Sequence, residues 1–351
     1  MPLSHRNEFI FNPSPRDFTV EEIPLYEFSS EGEHLILKVR KKELTTWEML
    51  EIFSSHLGIR RRDIGYAGLK DKHAMTIQYI SIMAIHQDKL GEFAHPQIKI
   101  LDTIRHNNKI RIGHLKGNLF HLRFKKVLGV QKDMLDSVLK WIKQNGVPNY
   151  FGYQRFGNYG DNWEEGQRII SGELRMRDRK SREFLISAYQ SYLFNNWLSK
   201  RIELCRLLEE FSESQTEQLL ELPKDTLKDI KKQKGFFKII EGDLLMHYPH
   251  GRIFYAQNHL EESERFEQKD ISPTGLLSGK KVKLSMGNAR EIEQQFDTVT
   301  FENGSRRYAW IFPKDIKSKY LPERAHYELE FFLPKGCYAT NVVEILRGYR
   351  A

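Results

Sequence analysis

The chain has 351 residues, 40% of them hydrophobic, which is enough for one large or two ordinary domains and excludes a chain disordered throughout. Its formal charge of +8 points to a polyanionic partner. Two distant cysteines, Cys205 and Cys337, exclude a disulfide framework and a cysteine zinc site, and no apolar run is long enough to span a bilayer. With no apolar signal core at the N-terminus, the expectation is a cytoplasmic protein without a membrane partner.

Residues 17–27 begin as a strand that Pro24 ends, with Phe18 and Val20 on one face. Residues 33–40 form a second strand, in which Leu35, Leu37 and Val39 alternate with Ile36, Lys38 and Arg40. Thr45 and Glu48 then make a capping box. Trp47, Leu50, Phe53 and Leu57 recur at helical spacing, and Gly58 stops the helix.

Three arginines, Arg60 to Arg62, lead into Gly65-Tyr66-Ala67-Gly68-Leu69-Lys70-Asp71-Lys72-His73-Ala74-Met75-Thr76-Ile77-Gln78. Gly65 and Gly68 permit a tight turn, and the β-branched run from Thr76 reads as a strand. Two readings are open for Asp71. It is either a solvated turn residue bonding its own backbone, or a carboxylate held ionised among Lys70, Lys72 and His73 to act on an electron-poor carbon.

Residues 100–126 are strongly basic. Phe120, Leu122 and Phe124 alternate with His121, Arg123 and Lys125, giving a strand with one apolar and one basic face, preceded by a turn signal at Lys116-Gly117-Asn118. The basic face suits either phosphate contact or protection of a sheet edge. Met134, Leu135, Val138, Leu139 and Ile142 mark a helix that Asn145-Gly146 ends, and a domain boundary is placed there. Residues 147–157 interleave aromatics, glycines and Arg155, as a packed hinge or a base-stacking surface would.

Beyond Gly157 polar helices prevail. A basic cluster from Arg175 through Arg177 and Arg179 to Arg182 approaches a helix carrying Ile186, Tyr189, Leu193 and Trp197. Residues 207–234 read as surface helices, and residues 271–275 and 278–280 carry loop signals. Tyr327, Leu329, Phe331 and Leu333 then alternate as a strand, and residues 338–346 close the chain as a helix. The expected architecture is α+β: a mainly antiparallel or mixed sheet domain built from residues 1–145 and 305–351, interrupted by an inserted domain at 146–304. Phosphate-cradling and dinucleotide-binding glycine motifs and a nucleophile elbow are all absent, so no cofactor or metal is expected.

The stretch from Ala67 to Gln78 resembles the signature of the TruD family of tRNA pseudouridine synthases. Further likenesses follow in the family's order: Glu31-Gly32-Glu33-His34, Lys116-Gly117-Asn118-Leu119-Phe120, the run from Pro148 to Gly157, Ser187 to Asn195, Ser272-Pro273-Thr274-Gly275, and Leu333 to Thr340. The resemblance implies a pseudouridine-synthase sheet domain with an inserted α/β TRUD domain and RNA in the cleft between them. It implies Asp71 as the catalytic aspartate and Phe18, Asn118 and Phe331 as pocket residues, with Phe120 close by. The implied substrate is the uridine at position 13 of tRNA, with no cofactor and no obligatory protein partner. Where family members often carry an arginine, this chain has Glu344, so Lys70 and Arg347 are the candidate cations facing Asp71. Arg123, Lys125, Arg155, Arg175, Arg177 and Arg179 are the expected contacts to the RNA backbone. The rival reading is an inactive RNA-binding or RNA-chaperone protein on the same scaffold, which binds tRNA without modifying it.

Overall fold

The structure is a computed structural model that describes residues 7–70, 72–157, 159–219 and 224–348. Strands β1 (Phe18–Pro24) and β2 (His34–Lys41) precede helix α1 (Thr46–Leu57), the short β3 (Gly65–Tyr66), β4 (Met75–Met83), β5 (Ile98–His106), β6 (Leu115–Lys125) and helix α2 (Gly129–Asn145). The chain continues through β7 (Val147–Pro148), α3 (Asn162–Ser171), α4 (Arg179–Glu210), α5 (Glu213–Leu219), α6 (Lys224–Lys232), β8 (Leu244–His247), β9 (Ile253–Tyr255), α7 (His259–Glu267), β10 (Ile271–Leu277), α8 (Gly287–Glu293), β11 (Ser305–Tyr308) and β12 (Trp310–Ile311). Strands β13 (Lys314–Leu321) and β14 (His326–Pro334) and helix α9 (Ala339–Arg347) complete it. Two compact units result. One comprises Asn7–Ser137 and Pro313–Gly336, the other Val138–Phe312 and the segment from Cys337 onwards. No helix among the described residues is long and apolar enough to cross a membrane.

In the first unit, eight strands among the described residues form one sheet in the order β13-β14-β6-β1-β4-β2-β5, with β3 added beside β4. Only the β1–β4 pair is parallel. Helix α1 starts at the expected capping box, ends at Gly58 in the left-handed region, and buries Met49, Leu50, Phe53 and Leu57 against Leu37, Val39, Ile80 and Ile82. Trp47 departs from the expectation. Thr46 takes the inward place, and Trp47 is 44% exposed, with its ring edge-on to Tyr66 and under the Arg61 guanidinium. It lies one residue off the buried stripe, so the helical period carries it outward.

The expected turn at Lys116–Asn118 is also overturned, because β6 continues through it, with a register shift against β1 at Lys116. Gly117 is there for close approach: a Cβ would run into the Leu333 backbone carbonyl and the Phe332 ring of the neighbouring strand. The edge strand β13 was not read from the sequence at all; its lysine-rich residues are mostly exposed and lack alternation.

The second unit is built on the long helix α4 and a four-stranded sheet in the order β11-β10-β8-β9. Residues 271–275, expected as a loop, are the buried strand β10. Its proline is tolerated because it sits where the strand changes partners, with Ile271 to Pro273 pairing β8 and Thr274 to Leu277 pairing β11. The Ser272 and Thr274 hydroxyls donate to the Trp310 and Leu244 carbonyls, each at 2.7 Å. Under this sheet lies Arg201, fully buried, donating to both Asp243 carboxylate oxygens at 2.6 and 2.9 Å and to the Lys238 carbonyl at 2.8 Å. Trp197 and Phe237 flank the guanidinium.

Removing one partner of such a pair leaves an uncompensated charge in the core. Asp243→Ala is therefore expected to lower the unfolding free energy by about 3–5 kcal/mol in urea titration, and a loss below about 1 kcal/mol would contradict this role for the pair.

Candidate active site

Strand β1 sets the geometry. Its residues alternate between faces, and its register puts Val20 beside Thr76 of β4 and Phe120 of β6, while Phe120 faces Phe331 of β14. Phe18, Val20 and Glu22 therefore share one face with Asn118, Phe120, Leu122, Phe331 and Leu333. The Phe18 and Phe120 rings are stacked with centroids 6.3 Å apart, and Phe120 and Phe331 stack at 5.5 Å. Phe120 and Phe331 are buried, whereas Phe18 is half-exposed and presents the accessible ring of the row. The four expected pocket residues thus come together on three adjacent strands.

One row further along the same face is polar. Glu22 of β1 sits opposite Asn118 of β6, and its Oε1 accepts from the Tyr79 backbone N–H at 3.3 Å. Glu22 is 1% exposed, and its Oε2 lies 2.5 Å from the ammonium of Lys70, itself buried. Burial pushes the Glu22 carboxyl above the usual carboxylate range, and Lys70 pulls it part of the way back. The Lys70 backbone N–H donates to Thr46 Oγ1 at 2.8 Å, and that hydroxyl donates to Gln78 Oε1 at 3.2 Å. The turn expected to carry the chemistry is thus pinned to the N-terminus of α1 and to β1 immediately before Asp71. Asp71 itself lies outside the described residues.

Besides Glu22 Oε2, whose contact with Lys70 is an ion pair, three buried polar atoms on this face, Thr76 Oγ1, Gln78 Nε2 and Asn118 Oδ1, have no hydrogen-bond partner among the described residues. Buried polar atoms are normally paired, so these three are the free hydrogen-bonding positions on this face. Glu22, Thr76, Gln78 and Thr46 were missed by the sequence reading. The signal for Glu22 was its parity: it falls on the same face as Phe18 and Val20, where a carboxylate needs a partner.

The expected cations divide sharply. Lys70 is held by Glu22. Arg123 lies 3.2 Å from Glu328 and 3.8 Å from Asp17, and Lys125 lies 2.5 Å from Asp17. In the second unit Arg155 packs on α4, donating to Ser191 at 3.2 Å and also to Ser187. Arg179 donates to Glu183 at 2.6 Å. Arg347 lies 3.5 Å from Glu344 beside a hollow of about 630 Å³ lined by Tyr150, Asn195 and Asn341. Arg175 and Arg177 are exposed, with no carboxylate partner among the described residues.

Arg307, also unremarked in the sequence, organises the aromatic segments of the second unit. Its guanidinium lies 3.9 Å from the Phe151 ring centroid, 5.6 Å from that of Phe194 and 5.8 Å from that of Tyr338. Asn195 brackets the Phe151 backbone at 2.9 and 3.0 Å. Burial pushes the Cys205 thiol up to about 11 and that of Cys337 up to about 12, so neither supplies a thiolate at neutral pH. Among the described residues there is no cluster of side chains able to hold a metal.

A family model described as tRNA pseudouridine synthase D (TruD) matches residues 10–177 and 225–345. The chain is 53% identical over 343 residues to a tRNA pseudouridine synthase D of Sulfurimonas denitrificans, covering 97% of this chain and 96% of the relative. It is 55% identical over 341 residues to a protein of the same name from Wolinella succinogenes, covering 97% and 94%. In fold it is similar to the crystal structure of a candidate tRNA pseudouridine synthase D from Methanosarcina mazei, with a TM-score of 0.68, 20% identity, and coverage of 98% of this chain and 94% of that one.

The buried Glu22–Lys70 pair makes two predictions. Lys70→Met strands the carboxyl and costs about 3–5 kcal/mol at neutral pH, while adding Glu22→Gln recovers part of the loss. A carboxyl that holds its proton more tightly folded than unfolded contributes stability that is complete below the unfolded value near 4.5 and is lost as pH rises through the folded value. Wild type should therefore lose stability relative to Glu22→Gln as pH rises from about 4.5, and a constant difference in urea titrations across that range would refute it.

Proposed function

We propose that this chain, which belongs to the TruD family of tRNA pseudouridine synthases, converts uridine 13 of tRNA to pseudouridine with Asp71 as its catalytic carboxylate. The family and the relatives' shared name make it an isomerase acting on tRNA. The finer assignment rests on the residues around the 67–78 motif. The reaction breaks the C1′–N1 bond of a uridine and forms C1′–C5 with the same base. C5 gives up a proton and N1 gains one, so the change is redox-neutral and asks for no cofactor. An ionised Asp71 supplies either attack at C1′ or removal of a sugar proton.

The observation that carries this reading is Asn118 Oδ1, buried without a partner beside the Phe18–Phe120–Phe331 row. A uracil unstacked from its RNA would stack on the half-exposed Phe18, backed by the two buried rings, and its N3–H would donate to Asn118. Of the candidate cations, Lys70 neutralises Glu22 and holds the turn, and Arg347 is the other. In this reading residues 1–145 with 305–351 form the catalytic domain, and residues 146–304 the inserted one. Arg175 and Arg177 meet phosphates more readily than Arg123 and Lys125, which would first have to leave their carboxylates. The enzyme acts in the cytoplasm without an obligatory protein partner.

The test is release of tritium from tRNA labelled at uridine C5. Wild type should release it at position 13, and Asp71→Asn should be slower by ~10³-fold or more. Retained turnover in the variant would remove Asp71 from the chemistry, and binding without release by wild type would favour the chaperone reading. Arg175→Ala with Arg177→Ala should weaken tRNA binding and reduce the salt slope by about 1 to 2. An unchanged slope would take this segment off the RNA surface.

A further inference from the structure

We infer that the sheet unit carries a second RNA-binding surface, a basic groove beside the catalytic turn that holds the ribose–phosphate backbone of the tRNA flanking the target uridine. This deepens the proposed reaction and rests on it for the identity of the polyanion. The groove encloses about 1310 Å³. It is formed where the C-terminal end of β2 meets the N-terminal ends of β1, β4 and β5, with Lys41 paired to both Thr76 and Ile98 and Thr19 paired to Met75. Met75, the first residue of β4, lines it together with Phe93 and Ile100.

The groove's charge is one-sided. Arg16, Arg40, Lys42 and Lys99 line it, all exposed, and Glu43 is its only carboxylate. None of these four cations forms an ion pair among the described residues, and Lys41 beside them is buried, donating to the Leu44 carbonyl at 2.6 Å. Elsewhere on the polar face of the sheet, which Arg40 and Lys99 share, the cations are paired. There Arg123 faces Glu328 at 3.2 Å, Lys317 faces Glu330 at 2.9 Å and His121 faces Glu330 at 3.1 Å. A paired cation that moves onto a phosphate exchanges one ionic contact for another. An unpaired one gains the contact and releases a counter-ion from the RNA.

Four like charges around one hollow also repel one another, and a polyanion relieves that repulsion. Edge lysines are often placed to stop sheets from pairing, which would account for Lys99 on the edge strand β5. It does not account for Arg40, on the interior strand β2, nor for Arg16 and Lys42, which lie outside the strands.

The test is the triple variant Arg40→Gln, Lys42→Gln, Lys99→Gln, with Lys42→Gln alone as a milder form. Affinity for unmodified tRNA is measured by fluorescence anisotropy over about 50–300 mM KCl, a range in which phosphate contacts dominate the slope of log K against log[KCl]. At about 0.7–0.9 per contact, the triple variant should lower the slope by about 2 to 3, and Lys42→Gln alone by just under 1. Thermal melting midpoints should match wild type, since all three residues are exposed. An unchanged slope in both variants, while wild type still releases tritium from tRNA, overturns the groove and leaves the reaction standing. A reduced slope with a wild type that releases no tritium supports the groove and overturns the reaction. Failure of wild type to bind tRNA at all overturns both.

Discussion

Strand β1 is hydrogen-bonded on both sides, parallel to β4 and antiparallel to β6, and its register decides what the inner face of the sheet presents. Slipping it by one residue would carry Phe18, Val20 and Glu22 to the opposite face and bring Thr19 and Glu21 inward. The stacked rings would lose their outer member, and Lys70 would lose its buried counter-charge. The register is protected by what each face requires. Val20 and its row belong to the core, whereas Glu21 pairs with Lys38 at 2.8 Å on the polar face.

The Glu22–Lys70 pair shows what this face costs to maintain. A buried ion pair is seldom a strong source of stability, because both groups are taken out of water. Its use here is positional. It ties the residue before Asp71 to a central strand, while Thr46 at the start of α1 holds the same residue's backbone. Lys70 is thereby fixed to two rigid elements, as the catalytic role proposed for the next residue would require.

The net charge of +8 takes on meaning only when its cations are sorted by partner. Many of the most conspicuous basic residues, including Arg123, Lys125, Arg179 and the buried Arg201, already face carboxylates. Cations without a carboxylate partner among the described residues include Arg175 and Arg177 in one unit and Arg16, Arg40, Lys42 and Lys99 around the groove in the other. A basic strand face read from sequence is therefore a poor guide to phosphate contact, since the opposing carboxylates come from distant segments.

The sequence alone determined whatever depends on local periodicity and on short motifs. Residue alternation located β1, β2, β6 and β14, the capping box and Gly58 bounded α1, and the 67–78 motif with its companions identified the family. Local signals failed where a residue's purpose lay across the sheet. Gly117 reads as a turn but exists for the close approach of Phe332, and Pro273 reads as a breaker but sits where β10 changes partners. Only the tertiary structure brought Phe18, Asn118, Phe120 and Phe331 onto one face, paired Lys70 with Glu22, and gathered Arg16 and Lys99 around one groove. These partners lie tens to hundreds of residues apart along the chain. What joins them is strand register and burial, which a sequence specifies jointly and no single stretch of it displays.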